Sequence, residues 1–133
     1  MILLDTHVLV WMDQDAPDLG PKARRALTRA AGEGQVAVSA ISFWEVAMLG
    51  AKGRLRLGIP IDRWRRDLLD AGLSEWSVDG EVGIAAVELQ GLHADPVDRL
   101  ITATAQQTGA TLLTADRRLL DWPGRLERRD ARA

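Results

Sequence analysis

Hydrophobic positions follow two rhythms along this chain. Three short apolar runs, ILL at 2–4, VAV at 36–38 and TLL at 111–113, are too brief for helices and match strands buried on both faces. Helical spacing fills the intervals. KARRALTRAA, residues 22–31, predicts a helix closed by Gly32, and IDRWRRDLLDAG puts Ile61, Trp64 and Leu68 on one face before stopping at Gly72. Val82, Ala85, Ala86 and Leu89 recur at the same spacing behind Asp79, as do Val97, Leu100, Ile101 and Ala105 ahead of Gly109. LSEWS at 73–77 reads as a weaker strand, and RLERR near the end as an edge strand or a loose tail over about 124–133. Strands alternating with helices predict a three-layer α/β/α sandwich with a central, mostly parallel sheet. The 133 residues have the length of one domain.

This architecture gives the acidic residues a shared address. In an open parallel sheet, ligands bind beyond the carboxyl ends of the strands, where loops lead into helices. Asp5 follows ILL, Glu45 lies one to two turns beyond VAV, Asp116 follows TLL, and Asp95 and Asp98 open the helix that feeds that last strand. All can point to one edge of the sheet. Each also has a structural role at hand. Asp5 can cap THVLVWM, Glu45 can close a capping box with Ser42, and Asp116 can cap RRLLDW; Asp95, with Pro96 at the first helical position and Asp98 two residues on, has the composition of a helix start. Asp79 sits at the same kind of junction and reads as a cap alone. Capping explains each acid singly, but several carboxylates in one pocket would repel one another and oppose folding. A divalent cation relieves that repulsion, and an all-oxygen donor set selects magnesium, or manganese in its place, over zinc.

Composition narrows the remaining choices. Hydrophobic residues make up 47% and charged residues 27%, the balance of a folded globular chain, and a net charge of −2 neither announces nor excludes a nucleic-acid partner. The absence of cysteine removes disulfides, thiolate nucleophiles and cysteine-bound zinc. MILLDTHVLVWM lacks a basic leader and carries an acid at position 5, and no apolar run approaches a membrane span, so the expected location is the cytoplasm with no membrane partner. GEGQVA at 32–37 imitates a dinucleotide fingerprint but precedes a strand rather than following one. An aspartyl-phosphate phosphatase would want a second acid two residues after Asp5, where His7 stands.

MILLDTHVLVW, VSAISFWEVAML, HADPVDRLITATA and LLTADRRLL, in this order over nearly the whole chain, resemble the PIN-domain ribonucleases, and most of all the toxins of VapB/VapC-type toxin–antitoxin pairs. The resemblance implies a metal site formed by Asp5, Glu45, Asp98 and Asp116, which are also its catalytic residues. Asp98 then faces the metal while Asp95 caps the helix. The implied reaction is magnesium-dependent endonucleolytic hydrolysis of RNA by an activated water. The implied partners are RNA, a cognate antitoxin and a second copy in a homodimer. The competing reading is a PIN-like scaffold that binds RNA or antitoxin without cutting; four intact acids weigh against it.

Residues around the acids fit supporting roles. Thr6, Ser39, Thr114 and Asp95 stand beside them and could orient ligands or waters, although helix and strand ends explain them nearly as well. All but two of the 17 basic residues are arginine. Most read as solvated helix faces, while Arg117, Arg118 and Arg99 stand close enough to the acids to meet RNA phosphates. Trp11, Phe43, Trp44 and Met48 are candidates for an apolar groove that receives the antitoxin, with burial in the core as the plainer reading. His7 reads as a hydrogen-bonded structural histidine, and His93 as a residue on the approach to its helix.

Overall fold

A computed structural model describes residues 1–133. Its five strands are β1 (Ile2–Leu4), β2 (Val36–Ser39), β3 (Ser74–Trp76), β4 (Thr111–Thr114) and β5 (Arg128–Asp130). Its seven helices are α1 (Thr6–Asp13), α2 (Pro21–Gly32), α3 (Ala40–Ala51), α4 (Ile61–Asp70), α5 (Gly80–Glu88), α6 (Pro96–Thr108) and α7 (Arg117–Leu120). The sheet runs β3-β2-β1-β4-β5, and every neighbouring pair is parallel. RLERR thus contributes the start of a true edge strand, in register with β4 through Leu113 and Arg129.

The apolar runs are continuous because both faces of the sheet are covered. Leu4, Val38 and Leu113 project to one side, where they pack with Val8 and Leu9 of α1, Leu27 of α2, Phe43 and Val46 of α3 and Trp64 of α4. Leu3, Ala37 and Leu112 project to the other, against Val97, Ile101 and Ala105 of α6, Leu119 and Trp122. Successive strand residues alternate between faces, so one run of three serves two cores. Leu3, Leu4, Leu112 and Leu113 are fully buried; truncating one to alanine costs about 2–5 kcal/mol. Helix stops fall where glycine frees the backbone. Gly109 ends α6 at φ 73°, and its N–H bonds the Ala105 carbonyl.

This topology also creates a crevice. From β1 the chain leads outward to β2 and β3 on one side, and later to β4 and β5 on the other, so the order reverses between β1 and β4. Such a switch point opens at the carboxyl ends of the two strands. Asp5 follows one of them and Asp116 the other.

Candidate active site

Asp5 is the N-cap of α1. Its Oδ1 accepts the Thr6 N–H at 2.9 Å, and its other oxygen accepts the Thr114 hydroxyl at 2.6 Å. The same Thr114 oxygen accepts the Asp116 N–H at 3.0 Å, so one buried hydroxyl ties the acids after β1 and β4 together across the crevice. Asp116 caps α7 by accepting the Arg118 N–H. Asp95 caps α6 with a single oxygen that accepts from Val97 N and Asp98 N. Asp98, one turn in, is left free of capping duty and turns into the crevice. Glu45, on the second turn of α3, completes the group: Asp5, Glu45, Asp95, Asp98 and Asp116 line one cavity of about 390 Å³.

Crowding shows in the protonation equilibria. Burial, reinforced by the charges of Asp5, Asp95 and Asp116, pushes the Asp98 carboxyl up to about 6, against the opposing hydrogen bond from His93. Glu45 is raised as well, chiefly by burial, with Asp5 and Asp95 adding to the effect and a Thr6 hydrogen bond working against it. Asp116 goes the other way because Arg118 grips it, Nε to Oδ1 at 3.1 Å and Nη2 to Oδ2 at 2.8 Å. The Arg118 Nη2 also lies 3.6 Å from Asp98 Oδ2. The cavity is therefore short of positive charge everywhere except at Arg118 and Arg54 on its wall.

Supporting residues divide into those that reach the acids and those that do not. Thr6 donates its hydroxyl to the Ser42 oxygen at 2.9 Å, and both are buried. Ser42 therefore forms no capping box with Glu45, because α3 starts earlier than that pattern requires. Ser39 is the cap, accepting Ile41 N–H at 3.2 Å, and it makes no hydrogen bond to the acids. His7 Nε2 accepts the Ala115 N–H at 3.1 Å, which places the ring proton on Nδ1, 3.6 Å from Asp5 Oδ2. That is the structural role its position suggests.

Arg99 belongs to the fold rather than to a phosphate-binding surface. Its guanidinium donates to the carbonyls of His93, Ala86, Val87, Leu89 and Leu92, latching the segment between α5 and α6. Arg117 pairs with Asp121 and Asp130, whereas Arg118 stands at the cavity with its side chain 60% exposed. Phe43 is buried and meets Trp64 edge-on with centroids 5.9 Å apart, so it is core and lines no groove. Trp11 lines the acidic cavity beside His7. Trp44, 54% exposed, and Met48 line a separate apolar cavity of about 390 Å³ with Ile41, Val97 and Leu100. Glu45 and Asp95 lie on the walls of both.

The histidine at the mouth of α6 is the residue that sequence spacing missed. His93 Nε2 lies 2.6 Å from Asp98 Oδ2, and ligand atoms of His93, Asp98 and Asp116 all fall within 4.8 Å of one another. The only available signal was its place two residues ahead of the Asp95 cap, from which a side chain can fold back over the first turn. The donor set fits a hard divalent cation: four carboxylates, two of them held above their ordinary range by burial and mutual repulsion, with one imidazole beside them.

A family model described as PIN domain matches residues 2–124. The chain is 37% identical over 119 residues to Ribonuclease VapC22 of Mycobacterium tuberculosis, covering 89% of this chain and 88% of that protein. Among solved structures, VapBC2 from Rickettsia felis bound to a promoter DNA fragment matches with a TM-score of 0.70 at 23% identity, covering 98% of this chain and 100% of that one. DNA-bound VapBC from Salmonella typhimurium matches with a TM-score of 0.66 at 19% identity, over 96% of both chains. No helix is long and apolar enough to cross a membrane.

Proposed function

This chain belongs to the PIN-domain family, and from that premise we propose that it is the endoribonuclease toxin of a toxin–antitoxin pair, hydrolysing RNA phosphodiesters with magnesium or manganese. One observation carries the reading: carboxylates from four separate elements converge on a single cavity at the switch point of the sheet. Asp5, Glu45, Asp98 and Asp116 are the residues that would hold the ion. When bound, such an ion supplies Lewis-acid stabilisation of the phosphodiester and lowers the pKa of a water.

The remaining tasks fall to the chain itself. Thr114 fixes Asp5 and Asp116 relative to each other, and His93 fixes Oδ2 of Asp98. Arg118, mostly exposed and gripping Asp116, is placed to turn from the carboxylate to an RNA phosphate, whose two free oxygens suit its planar fork. Attack by water forms its bond to phosphorus as the bond to the ribose 3′-oxygen breaks, and a proton passes to that oxygen. The products are 5′-phosphate and 3′-hydroxyl ends, and no side-chain nucleophile is needed.

Control by an antitoxin follows from the neighbouring apolar cavity. A helix carrying apolar side chains would seat them against Trp44, Met48 and Leu100, while a basic residue on it would reach Glu45 and Asp95 across the shared wall. The relative VapC22 is named a ribonuclease, and the solved VapBC structures are complexes, which supports both halves of the proposal. The test is RNA cleavage by the purified protein with and without magnesium, the ends being mapped, beside Asp5→Asn. We expect magnesium-dependent 5′-phosphate ends, and a loss of more than about a hundredfold in the variant, because even residues that only support metal ligands cost about 10–100-fold. Undiminished cleavage by Asp5→Asn would overturn the assignment.

A further inference from the structure

A further cavity lies at the end of the sheet opposite the acids. It measures about 650 Å³ and opens at the amino ends of β1 and β4, with Ile2 and Thr111 in its floor. Its walls carry Lys22, Arg25 and Arg29 from α2 and Arg129 from β5, against one acid, Glu33. None of these four cations forms an ion pair or donates a side-chain hydrogen bond, although other arginines close by do. Arg24, on the same helix, pairs with Asp15 and bonds the Ala16 carbonyl; Arg128, beside Arg129, donates to the Leu119 carbonyl; Arg132 lies over the Trp11 ring at 5.3 Å.

The arrangement along α2 is unfavourable in the protein alone. Lys22, Arg25 and Arg29 are separated by three and then four residues, so they line one face as a row about 10 Å long, and like charges at these spacings repel. Arg29 gains something from the helix C-terminus, but that does not extend to the others. In a chain of net charge −2, a cavity lined by unpaired cations at one edge of the sheet stands opposite a cavity lined by carboxylates at the other.

We propose that this cavity binds the phosphate backbone of the RNA substrate at a second, distal site, so that the substrate is an RNA long enough to reach both edges of the sheet. The proposal rests on the ribonuclease reading for the identity of the RNA, and on the unpaired cations for the site. The three residues from Ile2 to Asp5 set the two sites at least about 10 Å apart along the strand. A trinucleotide has two internucleotide phosphates, too few to occupy the acids and also to meet four cations; a long hairpin has enough for both. A row of exposed cations matches successive phosphates without reading bases, so this site adds affinity and disfavours short substrates while leaving the cutting sequence to the crevice.

The test compares the native chain with Lys22→Glu/Arg25→Glu/Arg29→Glu and with the milder Lys22→Gln/Arg25→Gln/Arg29→Gln, which guards against misfolding by charge reversal. Binding of a long labelled hairpin RNA and of a labelled trinucleotide is followed against salt in magnesium-free buffer, and the magnesium-induced melting shift checks the acidic cavity. We expect hairpin affinity to fall by more than about tenfold, and the slope of log affinity against log salt to drop by about two to three. Trinucleotide binding and the magnesium shift should stay as in the native chain. Unchanged hairpin affinity and slope in both triples would overturn the proposal. So would triples that bind RNA normally but lose binding of polyglutamate, which would assign the cavity to an acidic protein segment. A native chain that binds the hairpin with the cavity-dependent slope yet cuts no RNA would instead defeat the ribonuclease reading and leave the distal site standing.

Discussion

Helices α5 and α6 pack against each other and both begin with an aspartate cap, yet their first turns do different things. Asp79 is exposed, accepts the Val82 N–H at 2.9 Å and forms no ion pair. At the head of α6 the cap is Asp95, and the second acid, Asp98, is only 9% exposed and faces three other carboxylates. An acid at a helix start is explained by capping when it is exposed and bonded to the turn. A second acid buried among like charges is unfavourable for the fold, and its presence points to a ligand.

The sharpest way to break this comparison is Asp98→Asn. If Asp98 serves the ligand, RNA cleavage falls by more than about a hundredfold, while the metal-free protein is as stable as the parent or more so, because a repelled buried charge has gone. If Asp98 is structural, the variant melts early and cuts normally. Circular dichroism melts beside a cleavage assay separate the two.

Titration sharpens the same contrast. The Asp98 carboxyl is pushed from an ordinary 3.8 to about 6 by burial and its acidic neighbours, so between those values the folded chain holds a proton that the unfolded chain has released. Its contribution to stability is present below about pH 4 and is lost as pH rises through about 6. In metal-free buffer, the native chain should lose stability across that window relative to Asp98→Asn, measured by urea unfolding at each pH. Parallel curves would show that Asp98 is not under strain. A smaller effect, about 1 kcal/mol, is expected from Asp79→Ala, which removes only a cap; cleavage should be unchanged, and any loss beyond the unfolded fraction would give Asp79 a role it lacks here.

Much of this layout was legible in the chain. The helices α2, α4 and α6 announced themselves because their apolar spacing is regular and glycine marks an end, α5 because its apolar spacing follows the Asp79 cap, and β1, β2 and β4 because burial on both faces leaves their runs uninterrupted. Asp5 and Asp116 were predictable as neighbours because strand ends in a parallel sheet share an edge. What failed to show were facts that depend on side-chain direction. Arg99 lies one residue past Asp98 yet turns back to hold five carbonyls, Phe43 lies beside exposed Trp44 yet points into the core, and His93 reaches Asp98 only because the loop before α6 folds over it. Ser39 and Ser42 exchanged roles because α3 begins three residues earlier than the capping box implied.

The finest test falls on Asp95, which stands between the two cases. Its Oδ1 does a cap's work, accepting from Val97 and Asp98, while its charge helps to raise both Asp98 and Glu45. Asp95→Asn keeps an oxygen where the cap needs it, and asparagine caps about as well as aspartate, so the structural loss is near zero. Removing the charge eases the repulsion on its two neighbours, an effect in the stabilising direction without metal. The two terms together predict a metal-free stability within about 0.5 kcal/mol of the parent, along with a lower Asp98 pKa, observable by carboxyl-resolved NMR titration. Asp95→Ala, which removes the oxygen as well, should cost about 1 kcal/mol. If asparagine destabilises the protein as much as alanine does, the negative charge itself anchors the helix, and the separation of a capping acid from a ligand-facing one at the head of α6 fails.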